Sequence, residues 1–496
     1  MNDPGRVLIL GAGPTGLGAA YRLQELGFDD YLVIEAASTP GGLASSFVDE
    51  AGFTWDVGGH VQFSHYKYYD RLLDRALGDA WLCHERESWV WMHGRFIPYP
   101  LQNNIHRFDG EVCARVLAGM EKAAGRAPRG ASFREWLLHT FGQELCDLFL
   151  FPYNLKVWGY PLDTIDTGWM GERVAVPDLD RIRRNVRKHR DDVSWGPNST
   201  FRFPERGGTG AIWQGVAGLL PADRLALGNR ATAVDLAERA VTLADGRTLR
   251  YDTLVTTIPL KAFAAMATGL DADAHRACDV LVSSACHVLG IGLRGPEPAA
   301  LGRKCWVYFP EANSPYYRVT VFSHYSPHNV PEGEGYWSLM AEVCETPCRP
   351  AHPTVLGDWT VRAFREDGLI DPGTEVVSVW HRREMFGYPT PALGRDEALS
   401  VVLPALARQR VFSRGRFGAW KYEVSNQDHS CMQGVELADA LLGEGEEVTI
   451  HRPDHVNAGA FKNVCPQDDG EASAPSGTTA VGRGFSLAGR DDAGRG

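Results

Sequence analysis

The chain has 496 residues, 44% of them hydrophobic and 23% charged, with a formal net charge of −12. That length accommodates two or three domains with sizeable cores, and the composition is that of a globular protein in water. The acidic balance argues against nucleic acid as a partner, since its backbone calls for a basic surface. No apolar run approaches the roughly 20 residues that span a bilayer.

The N-terminus, Met1 to Gly5, enters an apolar run at once and leaves no room for a signal peptide, so a cytoplasmic protein is expected. Val7 to Leu10 read as a strand buried on both faces. Gly11, Gly13 and Gly16 follow with the spacing G-x-G-x-x-G, and Ala19 to Leu26 read as a helix with Ala20, Leu23 and Leu26 inward. In that context the first glycine permits a tight turn, the second lets the backbone approach a pyrophosphate, and the third lets helix and strand pack closely. The N–H groups opening the helix then face the phosphate charge. A second strand, Tyr31 to Ile34, ends at Glu35, about 20 residues past the last glycine, where a carboxylate takes ribose hydroxyls. The combination predicts a dinucleotide site on a doubly wound α/β domain. The Gly41-Gly42 pair goes beyond what a plain NAD domain needs and suits a flavin dinucleotide lying extended along the backbone. Gly58 and Gly59 beside His60 read as a loop that approaches a ligand closely; the alternative is a loop histidine making one hydrogen bond.

Further along, Val112, Val116, Leu117 and Met120, then Phe133, Trp136, Leu137 and Phe141, then Leu145, Leu148 and Phe149, have helical spacing. The basic residues from Arg181 to Arg190 read as a solvated helix face. Residues 230 to 257 alternate around Asp245-Gly-Arg247 as in a hairpin, and 282 to 345 are rich in Val, Tyr, Trp and Phe, as in an antiparallel sheet. The ten cysteines include no C-x-x-C pair and no zinc-finger histidine spacing, so reduced thiols and no metal site are expected. Asn426 or Asp428 can cap a helix through Met432, Val435, Leu437 and Leu441, whose dipole would stabilise an anionic reduced flavin. Gly470 to Gly496 lack apolar periodicity and read as a disordered tail.

Several segments resemble the eukaryotic-type UDP-galactopyranose mutases. They include Gly58 to Tyr68, Pro98 to Asn104, Pro152 to Trp158, Gly171 to Pro177, Trp195 to Phe201 and Phe203 to Gly210. The similarity continues through Cys305 to Glu311, Tyr317 to Ser323, His381 to Pro391 and Arg414 to His429. It covers nearly the whole chain in one order.

The resemblance implies an isomerase that interconverts the pyranose and furanose rings of a nucleotide-diphosphate hexose. Reduced FAD would act through N5 as a covalent nucleophile, and NADPH would be the reductant. It implies a discontinuous FAD-binding domain (1–106, 195–285, 373–465), a helical nucleotide-sugar domain (107–194), an antiparallel β domain (286–372) and a tail (466–496). His60, Arg173, Arg318 and Asn198 match the catalytic set. Gly59, Arg416, Asn426 and Gln427 match the flavin contacts, besides Gly11, Gly13, Gly16, Glu35, Gly41 and Gly42. Tyr308, Tyr325, Tyr388 and Tyr422 match the diphosphate tyrosines, and Trp158 and Trp306 join the substrate set. Departure of a diphosphate develops negative charge, which arginines meet through bidentate contacts. The base would lie between Tyr99 and Phe149, with Gln102 and Asn154 reading its edge.

Three positions depart from the family. Ser425 stands where glycine is usual, and a glycine of positive φ there would imply a rearranged loop. Leu101 and Leu155 replace phenylalanines beside the base, which admits a GDP-hexose as alternative to UDP-galactose. An amine-oxidase-type oxidoreductase of the same fold is a further alternative. The sequence leaves monomer and oligomer equally open.

Overall fold

The structure, a computed structural model, describes residues 4–123, 132–170, 176–193 and 199–458. Strand Val7–Leu10 is fully buried and sits at the centre of a five-stranded parallel sheet. Tyr31–Ile34 and Thr253–Thr256 flank it, and Leu225–Ala226 and Val411–Ser413 form the two edges. Both faces of such a sheet are covered, which is why the strand is apolar without alternation.

Helix Pro14–Glu25 leaves this strand through Gly11, whose φ of +105° a side chain would resist. A Cβ on Gly16 would lie 1.9 Å from the Gly11 carbonyl oxygen, so the helix packs as it does only on glycine. Helix Gln427–Leu442 crosses the first at similarly close range. A Cβ on Gly434 would lie 2.0 Å from Thr15 O, and one on Gly18 2.6 Å from Cys431 O.

A second sheet of seven strands runs in the order Glu375–Pro389, Ser283–Arg294, Tyr336–Glu345, Arg318–Val321, Trp306–Tyr308, Ser88–Met92, Arg95–Pro98. It is antiparallel except where Trp306–Tyr308 meets Ser88–Met92. The expected range 286–372 covers only its middle, because the sheet takes a hairpin from 88–98 at one edge and Glu375–Pro389 at the other. Strand propensity locates strands; it does not identify partners hundreds of residues away. The expected hairpin is formed by Ala240–Leu243 and Thr248–Arg250, after which Thr253–Thr256 returns the chain to the parallel sheet.

Between the early hairpin and the later strands lie helices Gly110–Ala123, Phe133–Phe141, Phe151–Trp158 and Leu179–Lys188. Val116, Met120, Phe133, Leu137, Phe141, Leu145 and Phe149 form their common core. Arg181 pairs with Asp192 at 2.5 Å and Arg183 with Glu121 at 2.8 Å, so the basic run is an ion-paired, solvated face. The nine described cysteines are unpaired, and only Cys83 and Cys348 among them are exposed. No helix among the described residues is long and apolar enough to cross a membrane. The expected tail lies outside the described residues.

Candidate functional site

A cavity of about 910 Å³ opens where the N-termini of helices Pro14–Glu25 and Gln427–Leu442 meet the seven-stranded sheet. Its glycine-rich end is lined by Gly11, Gly13, Thr15, Glu35 and Gly42. The Glu35 carboxylate accepts from Ala12 N–H (2.7 Å) and Ala37 N–H (2.8 Å), which fixes it at the mouth of the turn. Gly41 donates its N–H to Ala12 O at 2.8 Å, clasping its loop against the same turn. A Cβ on Gly42 would come within 3.4 Å of Gly13 Cα, so two bare backbones face each other across a slot. Gly16 lies behind the turn and serves packing. This end suits an extended dinucleotide, with two sets of unpaired helix N–H groups to meet negative charge.

His60 and Gly59 line the middle of the cavity. His60 Nδ1 is buried with no hydrogen-bond partner, as is Thr320 Oγ1 beside Gly59. Polar atoms left in this state point to a ligand that completes them. Burial pushes the His60 imidazole down to about 4, against the pull of Glu342 and helped by Arg318 and Arg416. The unfolded chain takes up this proton near pH 6.5, and the folded chain does so only near 4. Acidification through that window therefore favours the unfolded state. The unfolding temperature of the holoprotein should fall less between pH 6.5 and 4 in His60→Gln than in wild type; equal slopes would show that His60 does not carry this proton.

The far wall is polar. Arg318 and Glu342 stand opposite each other on neighbouring antiparallel strands. Arg318 Nε donates to Glu342 Oε1 at 2.8 Å and Nη2 to Oε2 at 2.9 Å. Gly59 N–H donates to Oε1 (2.9 Å) and Tyr317 O–H to Oε2 (2.6 Å). Burial works against the Glu342 charge, yet Arg318 and these donors hold its carboxyl below the usual range. Glu342 and Thr320 were not among the sequence candidates. The signal for Glu342 was a lone carboxylate inside the apolar strand Tyr336–Glu345.

Trp306, Tyr308, Tyr325, Tyr388 and Tyr422 join this wall, with Arg416 beneath Tyr388 at 5.0 Å from the ring centre. Arg416 donates to Gly387 O at 2.9 Å and to Ser425 Oγ at 2.9 Å. Ser425 has φ −120°, so no positive φ is needed and the loop accepts serine unstrained. The serine instead supplies an acceptor to Arg416.

The helix entry differs from expectation. Asn426 occupies the cap position, but its side chain makes no capping bond. Asp428 does not cap either; it accepts from His65 N–H (3.1 Å) and contacts His65 Nδ1 at 2.6 Å and His429 Nδ1 at 3.2 Å. Burial pushes the Asp428 carboxyl up, and the two histidines outweigh it and hold the group well below its usual range. Their potential ligand atoms lie within 4.8 Å, a grouping that cysteine spacing could not reveal. The 2.6 Å contact between His65 Nδ1 and Asp428 is a hydrogen bond. Gln427 also lines the cavity, its Oε1 accepting from Trp213 Nε1 at 2.8 Å.

Five expected substrate residues stand elsewhere. Trp158 is buried behind the wall and packs edge-on against Tyr422 (4.9 Å) and Tyr388 (6.2 Å), bracing both. Tyr99 meets Tyr308 at 5.1 Å, Tyr308 meets Tyr153 at 5.4 Å, and Tyr153 stacks on Phe149 at 5.4 Å. Tyr308 and Tyr153 thus stand in a chain of ring contacts that runs from Tyr99 to Phe149. Gln102 is buried in a short turn, and Asn154 Nδ2 donates to Leu150 O at 2.7 Å. Leu101 is fully buried core and Leu155 is 47% exposed, so neither opens space beside the cavity. Arg173 and Asn198 lie outside the described residues.

Residues 14–439 match the family described as flavin containing amine oxidoreductase. The structure of a reduced UDP-galactopyranose mutase shares 46% identity over 91% of this chain and 97% of that one, with a TM-score of 0.89. A candidate protoporphyrinogen oxidase from an Exiguobacterium species shares 15% identity over 89% of this chain and 100% of its own (TM-score 0.69). A fatty acid isomerase from P. acnes shares 15% over 88% and 98% (TM-score 0.61). The last two speak only to the fold.

Proposed function

Since the chain belongs to the UDP-galactopyranose mutase family, within the flavin-containing amine oxidoreductases, we propose that it interconverts UDP-galactopyranose and UDP-galactofuranose using reduced FAD. The observation that carries the reading is one cavity with a bare-backbone slot and two helix N-termini at one end, and an arginine–tyrosine wall at the other. A reduced flavin bound there would supply a nucleophile, at its N5, for ring opening and reclosure of the sugar.

The chain's residues do the rest. Gly13, Gly42 and Glu35 would hold the dinucleotide, and the N-terminus of helix Gln427–Leu442, which lines the same cavity, would favour the negative charge of a reduced flavin. Arg318, joined by Arg173, meets the charge that grows on the departing diphosphate. Tyr308, Tyr325, Tyr388 and Tyr422 offer hydroxyls to the same group, and Asn198 completes the set by resemblance. His60, neutral above about pH 4, serves as a hydrogen-bonding wall of the cavity and carries no charge to the site.

The direct test is product analysis with UDP-galactopyranose and the enzyme reduced by dithionite, where the furanose form is expected and its absence would end the reading. NADPH should bleach the flavin at comparable final extent. Leu101 is packed in the core and Leu155 stands at the surface, so neither leucine widens the cavity for a purine. UDP should therefore bind the reduced enzyme more tightly than GDP by about tenfold or more, roughly 1.4 kcal/mol; tighter GDP would reassign the base. The family also contains amine oxidoreductases, which draw hydride from a C–N bond and favour an apolar cage. Oxygen uptake with amines separates that chemistry from the one proposed.

A further inference from the structure

One buried carboxylate ties together three parts of the site. Glu342 is only 2% exposed, and it accepts from the Arg318 guanidinium, from the Gly59 amide beside His60, and from the Tyr317 hydroxyl. Tyr317 in turn reaches the Tyr388 hydroxyl at 3.3 Å. The carboxylate occupies two of the three guanidinium nitrogens, Nε and Nη2, and no described residue accepts from Nη1.

A reaction in which a diphosphate leaves a carbon, waits and returns makes two opposed demands on its cation. The cation must stabilise the departing charge, and it must not hold the free nucleotide so firmly that turnover stops. An unbalanced guanidinium in a water-poor cavity fails the second demand, since charge attraction strengthens as the local dielectric falls. Sharing the guanidinium with a fixed carboxylate weakens the grip on any second anion while keeping the donors aligned.

We propose that Glu342 is a positioning residue that weakens diphosphate retention by balancing Arg318, and that it links this grip to the loop Gly58–Gly59–His60 through the Gly59 amide. This rests on the mutase reading of the site. The linkage follows because Oε1 receives both Arg318 Nε and Gly59 N–H, so neither bond moves without disturbing the other.

The test uses the holoenzyme with two probes, UDP and inorganic pyrophosphate, the second carrying the diphosphate without any base. In Glu342→Gln both should bind at least tenfold more tightly than in wild type, with kcat and KM falling together as release becomes limiting. A side chain that merely supported the fold would raise KM and weaken both probes; weaker or unchanged binding overturns the proposal. If Glu342→Gln does not yield yellow, folded protein, Glu342→Asp carries the test. It keeps the charge but loses reach, so the Arg318 and Gly59 contacts loosen together: both probes should bind at least threefold more tightly than in wild type, and the flavin spectrum should shift with them. A change in one without the other, or in neither, overturns it. Failure of wild type to convert UDP-galactopyranose would strike the functional reading instead, since the variant-to-wild-type ratio with pyrophosphate is independent of the sugar and the base.

Discussion

Arg318→Ala is expected to lower kcat by a factor of about 10²–10³, roughly 3–4 kcal/mol, as removal of one preorganised charge-stabilising donor does elsewhere. Flavin content should remain, because Arg318 stands on the far wall and not in the slot between Gly13 and Gly42. The same substitution should also destabilise the protein. Glu342 would be left buried without its cation, and breaking a buried pair from one side costs about 3–5 kcal/mol. The double variant Arg318→Ala, Glu342→Gln removes the stranded charge. It should regain most of the lost unfolding temperature and none of the lost turnover. Thermal unfolding and steady-state rates on the three proteins separate the two effects. A double variant no more stable than the single one would show that Arg318 does not compensate Glu342.

Gly434→Ala should be among the most damaging single methyls in the described residues. Its Cβ would lie 2.0 Å from Thr15 O and 2.8 Å from Ala19 N, both backbone atoms that no rotamer can move aside. The helices Pro14–Glu25 and Gln427–Leu442 would have to separate, and overpacking of this kind costs about 1–3 kcal/mol or more. Separation also misaligns the two N-termini that line one cavity, so the protein should purify with little flavin and a lowered unfolding temperature. Full flavin occupancy in this variant would mean that the crossing can relax without opening the cavity.

The dinucleotide end was legible because its requirements are local. Gly11, Gly13 and Gly16 are spaced for one turn; Gly11 has a positive φ and Gly16 leaves no room for a Cβ, while Gly13 faces Gly42 across the slot. The catalytic wall was legible only in part. Arg318 and the tyrosines were found by resemblance, whereas Glu342, which holds Arg318, lies across a strand pair and has no short-range signature. Trp158, expected among the substrate contacts, packs edge-on against Tyr388 and Tyr422, a placement that does not show in a motif. The expected base residues Tyr99 and Phe149 came by resemblance alone, since their contacts with Tyr308 and Tyr153 join distant segments that no spacing reveals. Ser425 shows the opposite case, a departure from pattern that the local backbone absorbs without cost.

The interleaving of the two sheets has a consequence for how the chain is made. The central strand Val7–Leu10 leaves the ribosome first, yet its neighbour Thr253–Thr256 and the edge Val411–Ser413 emerge far later. The second sheet is no better placed, since Ser88–Met92 waits for Trp306–Tyr308 and the outer strand is Glu375–Pro389. Closing such distant pairs is slow, because the loop must be ordered before the contacts reward it. For most of its synthesis the nascent protein thus carries unpaired, apolar strand edges that invite association. Productive expression should depend on chaperone supply and reduced growth temperature. Fragments ending before residue 427, which lack the second helix, should accumulate as insoluble and colourless material.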